Sequence, residues 1–280
     1  MLTVLITKLV ATAVVVIGVS ITVGKLGPRL GGILAGTPVI LGPGYFFMLQ
    51  EWPPEFIRAA ALSSLHALIA TLLFVVSFVV TAKRLSALAS LAVATLLWIP
   101  AALLFSRLPG GLGIAVTVYG IVLLLAEWIR RALDLKQPTV VSVSGWSDLL
   151  LRGVMAGILV SVATTLAVNS GPTLSGMLVG FPVALFTIGW TLHDRYGADV
   201  ARATVSAAQM GMLSLVAFTV VTAILVGVIA PMLTFLFALL ASMSVSGSLL
   251  LLSQWRVRRA YSHLLNPDSN NKGTPSHDRK

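Results

Sequence analysis

The sequence predicts an all-α polytopic membrane helix bundle of about nine transmembrane helices, built as an inverted 4+1+4 internal repeat. Three observations support this prediction: an apolar composition, a series of long apolar segments, and a glycine–proline motif that occurs twice. Of the 280 residues, 57% are hydrophobic and only 10% are charged. Soluble domains contain about 25% charged residues, and this chain has too few polar side chains to cover a water-soluble globule. Lipid is therefore the expected solvent.

Nine apolar segments are long enough, or nearly so, to cross about 30 Å of hydrocarbon as helices. Helices are expected because an open strand in lipid leaves backbone groups unpaired. No alternation of apolar and polar residues indicates a membrane barrel. The predicted spans are residues 2–24, 30–49, 58–82, 85–106, 111–130, 149–168, 172–192, 200–226 and 230–252.

The lysines and arginines are distributed unevenly between the two ends of these spans. If the chain crosses the membrane nine times, three of the 19 lysines and arginines lie on the side of the N-terminus and sixteen on the side of the C-terminus. Positive side chains accumulate in cytoplasmic loops, so the C-terminus is expected in the cytoplasm and the N-terminus outside. The same rule accounts for the net charge of +10, and no nucleic-acid binding is expected.

The chain lacks the residues that many enzymes and cofactor sites need. It contains no cysteine, which excludes thiol catalysis and cysteine-ligated metal or iron–sulfur centres. No zincin, nucleophile-elbow or Walker A motif is present. We therefore expect no enzymatic activity, no catalytic residue, no cofactor and no metal, with an integral membrane enzyme as the weakest class. The apolar N-terminus is interpreted as a retained first span.

A thirteen-residue motif occurs twice. Residues 27–39 read GPRLGGILAGTPV and residues 171–183 read GPTLSGMLVGFPV, with eight identical positions at an offset of 144. Apolar bias alone does not reproduce three glycines and two prolines in register. Five spans precede the second copy, which is an odd number, so that copy is expected to be inverted in the membrane. Inverted duplications of this kind underlie many secondary transporters.

The repeat divides the chain into four predicted regions. They are a first membrane repeat over residues 1–106, a connector helix with a cytoplasmic loop over 107–147, an inverted second repeat over 148–252, and a basic, disordered cytoplasmic tail over 253–280.

Each copy places a proline inside its second span. Proline removes one helix hydrogen bond and clashes with a preceding carbonyl, so both spans are expected to be interrupted there, and the first also near Gly42–Gly44. Paired interrupted helices indicate a transporter's binding site, whereas the same glycines also suit close helix packing alone. The expected substrate-lining residues are Gly36, Thr37, Pro38, Gly42, Gly44, Gly180, Pro182, His66 and Gln209.

Few ionisable residues lie inside the predicted spans. No carboxylate lies near a span centre, which disfavours proton transport on Asp or Glu. His66 is the candidate proton carrier, although a lone histidine also serves as a hydrogen-bonded packing residue. Arg58 and Arg202 begin the third span of each copy, each three residues after an acid, and are expected either to pair locally at the interface or to gate. Lys8 and Arg152 are expected to extend to opposite interfaces.

The second copy contains a short pattern that a known family shares. Residues 174–182 read LSGMLVGFP, and Arg202-Ala203-Thr204 follow twenty residues after the proline. This pattern resembles the GlpM-like small bacterial membrane proteins, over about 150–228 and more weakly over 8–82, where Thr37 replaces the phenylalanine before the proline. The resemblance implies a bacterial inner-membrane protein, similar to a fused and inverted pair of four-span units, in a family linked to exopolysaccharide production.

Two functions are compatible with these features. The first is a small-solute secondary transporter or channel that uses the paired proline-broken helices at the repeat interface. The alternative is a non-transporting membrane assembly partner in envelope polysaccharide production. The expected partners are the lipid bilayer and a small-molecule solute, and a homo-oligomer is compatible with either function.

The distribution of cations predicts the topology. A reporter fused after Lys280 should be cytoplasmic, and one inserted between Pro53 and Pro54 should be outside, because basic loops stay in the cytoplasm. Paired phosphatase and fluorescent-protein fusions measure this. Both reporters on one side of the membrane would contradict the count of nine spans and the inversion that depends on it.

Overall fold

The computed structural model describes residues 2–25, 38–135, 145–165 and 167–265, and no β-strand occurs in these four ranges. In chain order the helices are α1 (Leu2–Lys25), α2 (Leu41–Glu51), α3 (Pro54–Thr81), α4 (Ala87–Phe105), α5 (Gly111–Ala132), α6 (Trp146–Thr165), α7 (Ala167–Val179, non-helical at Gly171), α8 (Val183–Tyr196), α9 (Ala198–Leu225) and α10 (Pro231–Leu265).

The predicted all-α polytopic bundle is confirmed. Within the described ranges, eight helical segments have the length and apolarity to cross a membrane, with α7 and α8 counted together. The short helix α2 is the helical part of the predicted second span, and residues 26–37 before it lie outside the described residues. The protein is therefore a multi-pass membrane protein.

The helix bounds repeat along the chain with the offset of the motif. Helices α3 and α9 each have 28 residues, and both their first and last residues are 144 positions apart. Each carries an acid in its first turn, Glu55 in α3 and Asp199 in α9. Negative charge stabilises a helix N-terminus, so the same local signal starts both helices.

Helices α3 and α9 pack as an antiparallel pair at the centre of the bundle. Arg58 near the start of α3 donates from Nε to the carbonyl oxygen of Ala223 at 3.2 Å. Arg202 near the start of α9 donates from Nε to the carbonyl oxygen of Val79 at 2.7 Å. Both arginines and both acceptors are 144 positions apart, so this is one contact made twice about a pseudo-two-fold axis. The axis relates antiparallel helices, which makes the two copies inverted, as the sequence predicts.

The first helices of the two copies, α1 and α6, cross about the same axis. A Cβ atom on Gly157 would lie 2.6 Å from the carbonyl oxygen of Leu9, and one on Gly153 would lie 3.3 Å from that of Ala13. Leu9 is the repeat equivalent of Gly153, and Ala13 that of Gly157, so this contact is also made twice. Glycine at both positions of α6 lets the two backbones approach closely.

The second span of the second copy is interrupted at Gly180–Pro182, between α7 and α8. Pro182 has no N–H group to donate to the preceding turn. The N–H of Val183, which would bond to Val179 in a continuous helix, donates to the carbonyl oxygen of Phe181 at 2.8 Å instead. The interruption that the proline predicts is therefore present.

In the first copy, residues 38–40 are non-helical and α2 begins at Leu41. The predicted second break near Gly42–Gly44 is wrong, because these residues form the first turn of α2. A proline is tolerated there, since the N–H groups of a first turn have no partner within the helix. Gly44 serves close packing: its Cβ would lie 2.7 Å from Cγ1 of Val179 in α7.

The last helix is longer than the predicted last span. Residues 253–265, predicted as part of a disordered tail, continue α10 as far as Leu265. They contain no glycine or proline that would end a helix, and the next proline is Pro267. Residues 266–280 lie outside the described residues.

The α1–α6 contact predicts a specific sensitivity to one methyl group. Gly157→Ala should lower the free energy of unfolding by about 1–3 kcal/mol, because the new Cβ meets backbone that cannot move aside. Gly120→Ala in α5, where a Cβ would meet nothing within 4 Å, should be neutral or stabilising by about 0.5–1 kcal/mol. Denaturation in mixed detergent micelles measures both, and equal stabilities for the two variants would contradict the close approach.

Candidate functional site

A cavity of about 610 Å³ lies where the two interrupted spans meet α9 and α10. Residues 39–41, just after the first interruption, and residues 180–185, at the second, form one part of its wall. The rest comes mainly from residues within 204–215 of α9 and 246–253 of α10. Ligand pockets commonly have volumes of about 300–1,000 Å³. The cavity thus has the size of a small-molecule site and lies between the two repeats.

The cavity wall is apolar apart from a few hydroxyl groups, and none of its described residues is ionisable. The hydroxyl groups belong to Thr71, Thr204, Ser214, Ser246 and Ser253. Thr204 and Ser214 donate their protons to carbonyl oxygens of their own helix, at 2.9 Å and 2.6 Å. The Oγ atom of Ser246 is buried and has no hydrogen-bond partner among the described residues. Because this atom is inaccessible to solvent, the hydroxyl of Ser246 does not face the open part of the cavity.

The predicted substrate-lining residues are only partly brought together. Gly180 and Pro182 lie in the cavity wall, and Pro38 is buried directly before the lining residues 39–41. Gly42 and Gly44 lie in α2 and are not part of the wall. Gly36 and Thr37 lie outside the described residues. The binding role of each of these residues stays a prediction.

His66 lies in the interior of α3 and not in the cavity wall. It is 2% exposed, and its Nε2 atom has no hydrogen-bond partner among the described residues. Its repeat equivalent is Met210, which lines the cavity and is 37% exposed. His66 is therefore buried at a position whose equivalent in the other copy lines the cavity. Its role as a proton carrier stays a prediction.

Gln209 takes part in a buried polar network behind the cavity wall. Its Nε2 donates to Oε2 of Glu127 in the connector helix α5 at 2.9 Å. Glu127 also accepts from Arg130 at 2.6 Å and 2.7 Å and from Arg131 at 3.0 Å. The sequence indicates the two local arginines but not Gln209, which is 82 positions away. A carboxylate inside a membrane needs such partners, so this network holds α5 against the second repeat.

Helix α7 covers one face of α3. Ser63 Oγ donates to the carbonyl oxygen of Thr173 at 2.6 Å, and Ser64 Oγ donates to that of Gly176 at 2.7 Å. The motif glycines make this contact feasible, since a Cβ on Gly180 would lie 2.8 Å from Cβ of Ala67. Both serines are buried beneath α7.

The equivalent face of α9 has different surroundings. Ala207 is the repeat equivalent of Ser63 and Gly211 that of Ala67, and both lie exposed in the cavity wall. The segment equivalent to α7, residues 23–35, lies largely outside the described residues. Among the described residues, α7 covers this face of α3, and the equivalent face of α9 borders the cavity.

The two arginines of the central pair differ in their second contacts. Arg202 is 3.3 Å from Asp199, the local pair that the sequence predicts. Arg58 instead donates from Nη2 to the carbonyl oxygen of Val226 at 2.8 Å. His193 Nε2 lies 2.9 Å from the carbonyl oxygen of Ala82, the repeat equivalent of Val226. The ends of both helices are thus satisfied by different side chains, and gating by the arginines stays a prediction.

An ion pair connects each interrupted span to the first helix of its copy. In the first copy, Lys8 Nζ of α1 is 2.6 Å from Glu51 Oε2 at the end of α2. In the second copy, Asp148 Oδ1 of α6 is 3.1 Å from Arg195 Nη2 at the end of α8. Glu51 and Arg195 are repeat equivalents, so the two pairs have opposite polarity. Because the copies are inverted, the pairs lie towards opposite faces of the bundle.

Sequence reasoning missed both ion pairs. It identified Lys8 and Arg152 as equivalent cations, but the partners of the pairs are 43 and 47 positions apart in sequence. Arg152 itself donates from Nε to Thr187 Oγ1 in α8 at 3.3 Å. The sequence did contain a signal for the second pair. Arg152 and Arg195 are both basic and need an acid near them to balance their charge, and Asp148 is such an acid.

Comparisons with family models, curated proteins and solved structures find no match to this chain. The resemblance to the GlpM-like proteins therefore stays a prediction from the motif. The fold and the described site define the class instead: a multi-pass membrane protein with an inverted repeat and an apolar cavity at the repeat interface.

The Lys8–Glu51 pair predicts a stability difference between two neighbouring acids. Glu51→Gln should lower the free energy of unfolding by about 1.5–3 kcal/mol, because Lys8 is 4% exposed and would lose a charged partner. Glu55→Gln, a change to an exposed acid in the first turn of α3, should cost at most about 1 kcal/mol, the size of its interaction with the helix N-terminus.

The double variant Lys8→Met with Glu51→Gln provides the cross-check. Removing both charges should recover most of the loss, because the lysine's burial without a partner is what costs stability. Denaturation in mixed micelles measures all four proteins. A double variant as unstable as Glu51→Gln alone would contradict the pairing.

Proposed function

We propose that this protein is a small-solute secondary transporter or channel that binds its solute in the cavity between the two repeats. The observation that carries the proposal is that both proline-containing interruptions contribute to one cavity beside the pseudo-two-fold axis. In transporters with inverted repeats, discontinuous helices form the substrate site near the middle of the membrane. Pro182 lies near the middle of the apolar segment Gly171–Tyr196, which supports this location.

The symmetry of α3 and α9 supports alternating access over a simple pore. The central helices have the same length and make reciprocal arginine contacts about a pseudo-two-fold axis. If the two repeats exchanged conformations, the face of α3 around Ser63 that α7 covers would become exposed. Rocking of one repeat against the other is the usual mechanism in this class.

The polar contacts between helices suit the role of gates. The Lys8–Glu51 and Asp148–Arg195 pairs hold α2 and α8 at opposite faces of the bundle. Arg58 and Arg202 bridge the two repeats, also at opposite ends of the central pair. Opening one face requires that one set of these contacts breaks while the other stays, which is how two gates alternate.

The same proposal includes a location and a type of activity. We propose a bacterial inner membrane with a cytoplasmic C-terminus, from the GlpM-like motif and the distribution of cations. We propose no enzymatic chemistry. The solute is then handled by binding and by helix movement alone.

Cysteine accessibility tests the exchange on this naturally cysteine-free chain. Ser63→Cys and Ala207→Cys, each alone, are labelled with a membrane-impermeant maleimide added to one side of proteoliposomes. We expect labelling of the two variants from opposite sides, because the two positions are equivalent in inverted copies. Lys83→Cys, in the exposed turn between α3 and α4, controls for orientation and should be labelled equally in every background.

Proline substitutions then shift the balance between the two states. Pro38→Ala and Pro182→Ala each restore a backbone hydrogen bond, so stability should hold or rise while function falls. One substitution should raise labelling of the Ala207→Cys variant and lower that of the Ser63→Cys variant, and the other should do the opposite. If both leave the labelling pattern of the parent, alternating access is wrong and the assembly-partner function is favoured.

A further inference from the structure

We propose that Arg152 binds the phosphate group of an anionic ligand at the contact between α6 and α8. This inference goes beyond the proposed transport function and does not depend on it. Two equivalent positions of the repeat lead to it. In the first copy Lys8 pairs with Glu51, and the equivalents of these residues in the second copy are Arg152 and Arg195. The second copy therefore has two bases where the first has a base and an acid.

No carboxylate forms an ion pair with Arg152 among the described residues, which include all acids of the chain except two beyond Leu265. Asp148 is the nearest acid along α6, one turn before Arg152, and both of its carboxylate oxygens already have donors. Oδ1 accepts from Arg195 Nη2 at 3.1 Å, and Oδ2 accepts from the N–H of Gly145 at 3.0 Å. One acid therefore lies beside two arginines, and the α6–α8 contact carries an excess positive charge.

The guanidinium group of Arg152 has donors to offer a ligand. Its Nε donates to Oγ1 of Thr187 in α8 at 3.3 Å, and neither Nη atom has a hydrogen-bond partner among the described residues. The two Nη atoms are also absent from the buried unpaired atoms of this part of the chain, so a ligand can reach them. A guanidinium presents parallel N–H groups that match two oxygens of a phosphate. An arginine inside a membrane is costly without a partner of this kind.

Arg152 lies close to one membrane surface. Trp146 begins the span that contains Arg152 and is 70% exposed, and exposed tryptophans concentrate at membrane interfaces. Arg152 follows six residues later, which is about 9 Å along α6. At the same end of the bundle Arg195 is exposed, beside the exposed acid Asp194, which forms no ion pair among the described residues.

A phosphate group can reach this position from two sources. The head group of an anionic phospholipid lies at the membrane interface, and basic pockets between membrane helices are known to bind such head groups. A soluble phosphate can approach from the aqueous side past Arg195. Both sources offer the same chemistry to the Nη atoms of Arg152.

Thermal unfolding of the full-length protein in a neutral detergent tests the proposal. The probes are dioleoyl phosphatidylglycerol, dioleoyl phosphatidylcholine and inorganic phosphate, each added to the parent, to Arg152→Gln and to Lys83→Gln. Lys83 is an exposed cation without an ion pair among the described residues, near the point where His193 of α8 contacts Ala82. Its variant therefore controls for the loss of one positive charge at the same end of the bundle.

We expect a saturating phosphate-bearing probe to raise the unfolding midpoint of the parent and of Lys83→Gln by about 5 °C, because a ligand of the folded state stabilises it. Arg152→Gln should show no such shift. Without a probe, Arg152→Gln should be at least as stable as the parent, since it removes an intramembrane charge that has no carboxylate partner. This second readout separates a lost binding site from a misfolded variant.

Native mass spectrometry then measures the affinity for the probe that stabilises the parent. Arg152→Gln should lower this affinity at least about ten-fold, the loss expected for one hydrogen bond to a charged group. Arg152→Lys, which keeps the charge but loses the paired N–H groups, should lower it by a smaller factor. Lys83→Gln should leave it unchanged.

The outcomes also distinguish the two sources of the phosphate. Arg152-dependent stabilisation by phosphatidylglycerol alone would support a lipid head group, and Arg152-dependent stabilisation by inorganic phosphate would support a soluble ligand. No effect of either probe on the parent would overturn the proposal. Equal shifts in the parent and in Arg152→Gln, or equal shifts with phosphatidylcholine and phosphatidylglycerol, would overturn it as well, because the arginine would then select no anion.

Discussion

Carbonyl oxygens at the C-terminal ends of two long helices set the arrangement of this protein. The last carbonyl groups of a helix have no partner in their own helix, and here Val79, Ala223 and Val226 are buried in the bundle, where they need a protein donor. Arg58 supplies donors to the end of α9, and Arg202 supplies one to the end of α3. Each helix is thus completed by the first turns of the other. The antiparallel pairing, its register and the pseudo-two-fold axis all follow from this exchange.

The remaining helices are arranged about that axis by small residues and ion pairs. Close approach at Gly153 and Gly157 lets α6 cross α1, and each interrupted span is held at its end by a charge on the first helix of its copy. The second copy also pairs its first helix with the end of its interrupted span, but with reversed polarity and with the partner on the first helix one turn away, at Asp148 instead of Arg152. The duplication therefore preserves a charge pair between the first helix and the end of the interrupted span, and not the identity of the residues. An unpaired charge there would be costly in the membrane.

Equivalent positions of the two central helices carry different side chains. The serines of α3 are engaged by carbonyl oxygens of α7, whereas the alanines at the equivalent positions of α9 have no hydroxyl to offer. The two equivalent faces therefore differ in the hydrogen bonds that they can offer to a covering helix. Such a difference between equivalent faces is the starting point for a two-state element whose balance a ligand can shift.

The sequence by itself determined the membrane class, the inverted repeat and the interruption at Pro182, because these depend on composition, on order along the chain and on a residue that lacks an N–H group. Local pattern also misled: Gly42–Gly44 start a helix where a break was expected, since a first turn tolerates what an interior does not. Only the tertiary structure decided that Lys8 pairs with Glu51 and that Gln209 joins Glu127. It likewise decided that the cavity wall is apolar and excludes His66. These features depend on side chains from distant parts of the chain, whose meeting is set by helix packing and not by spacing along the sequence.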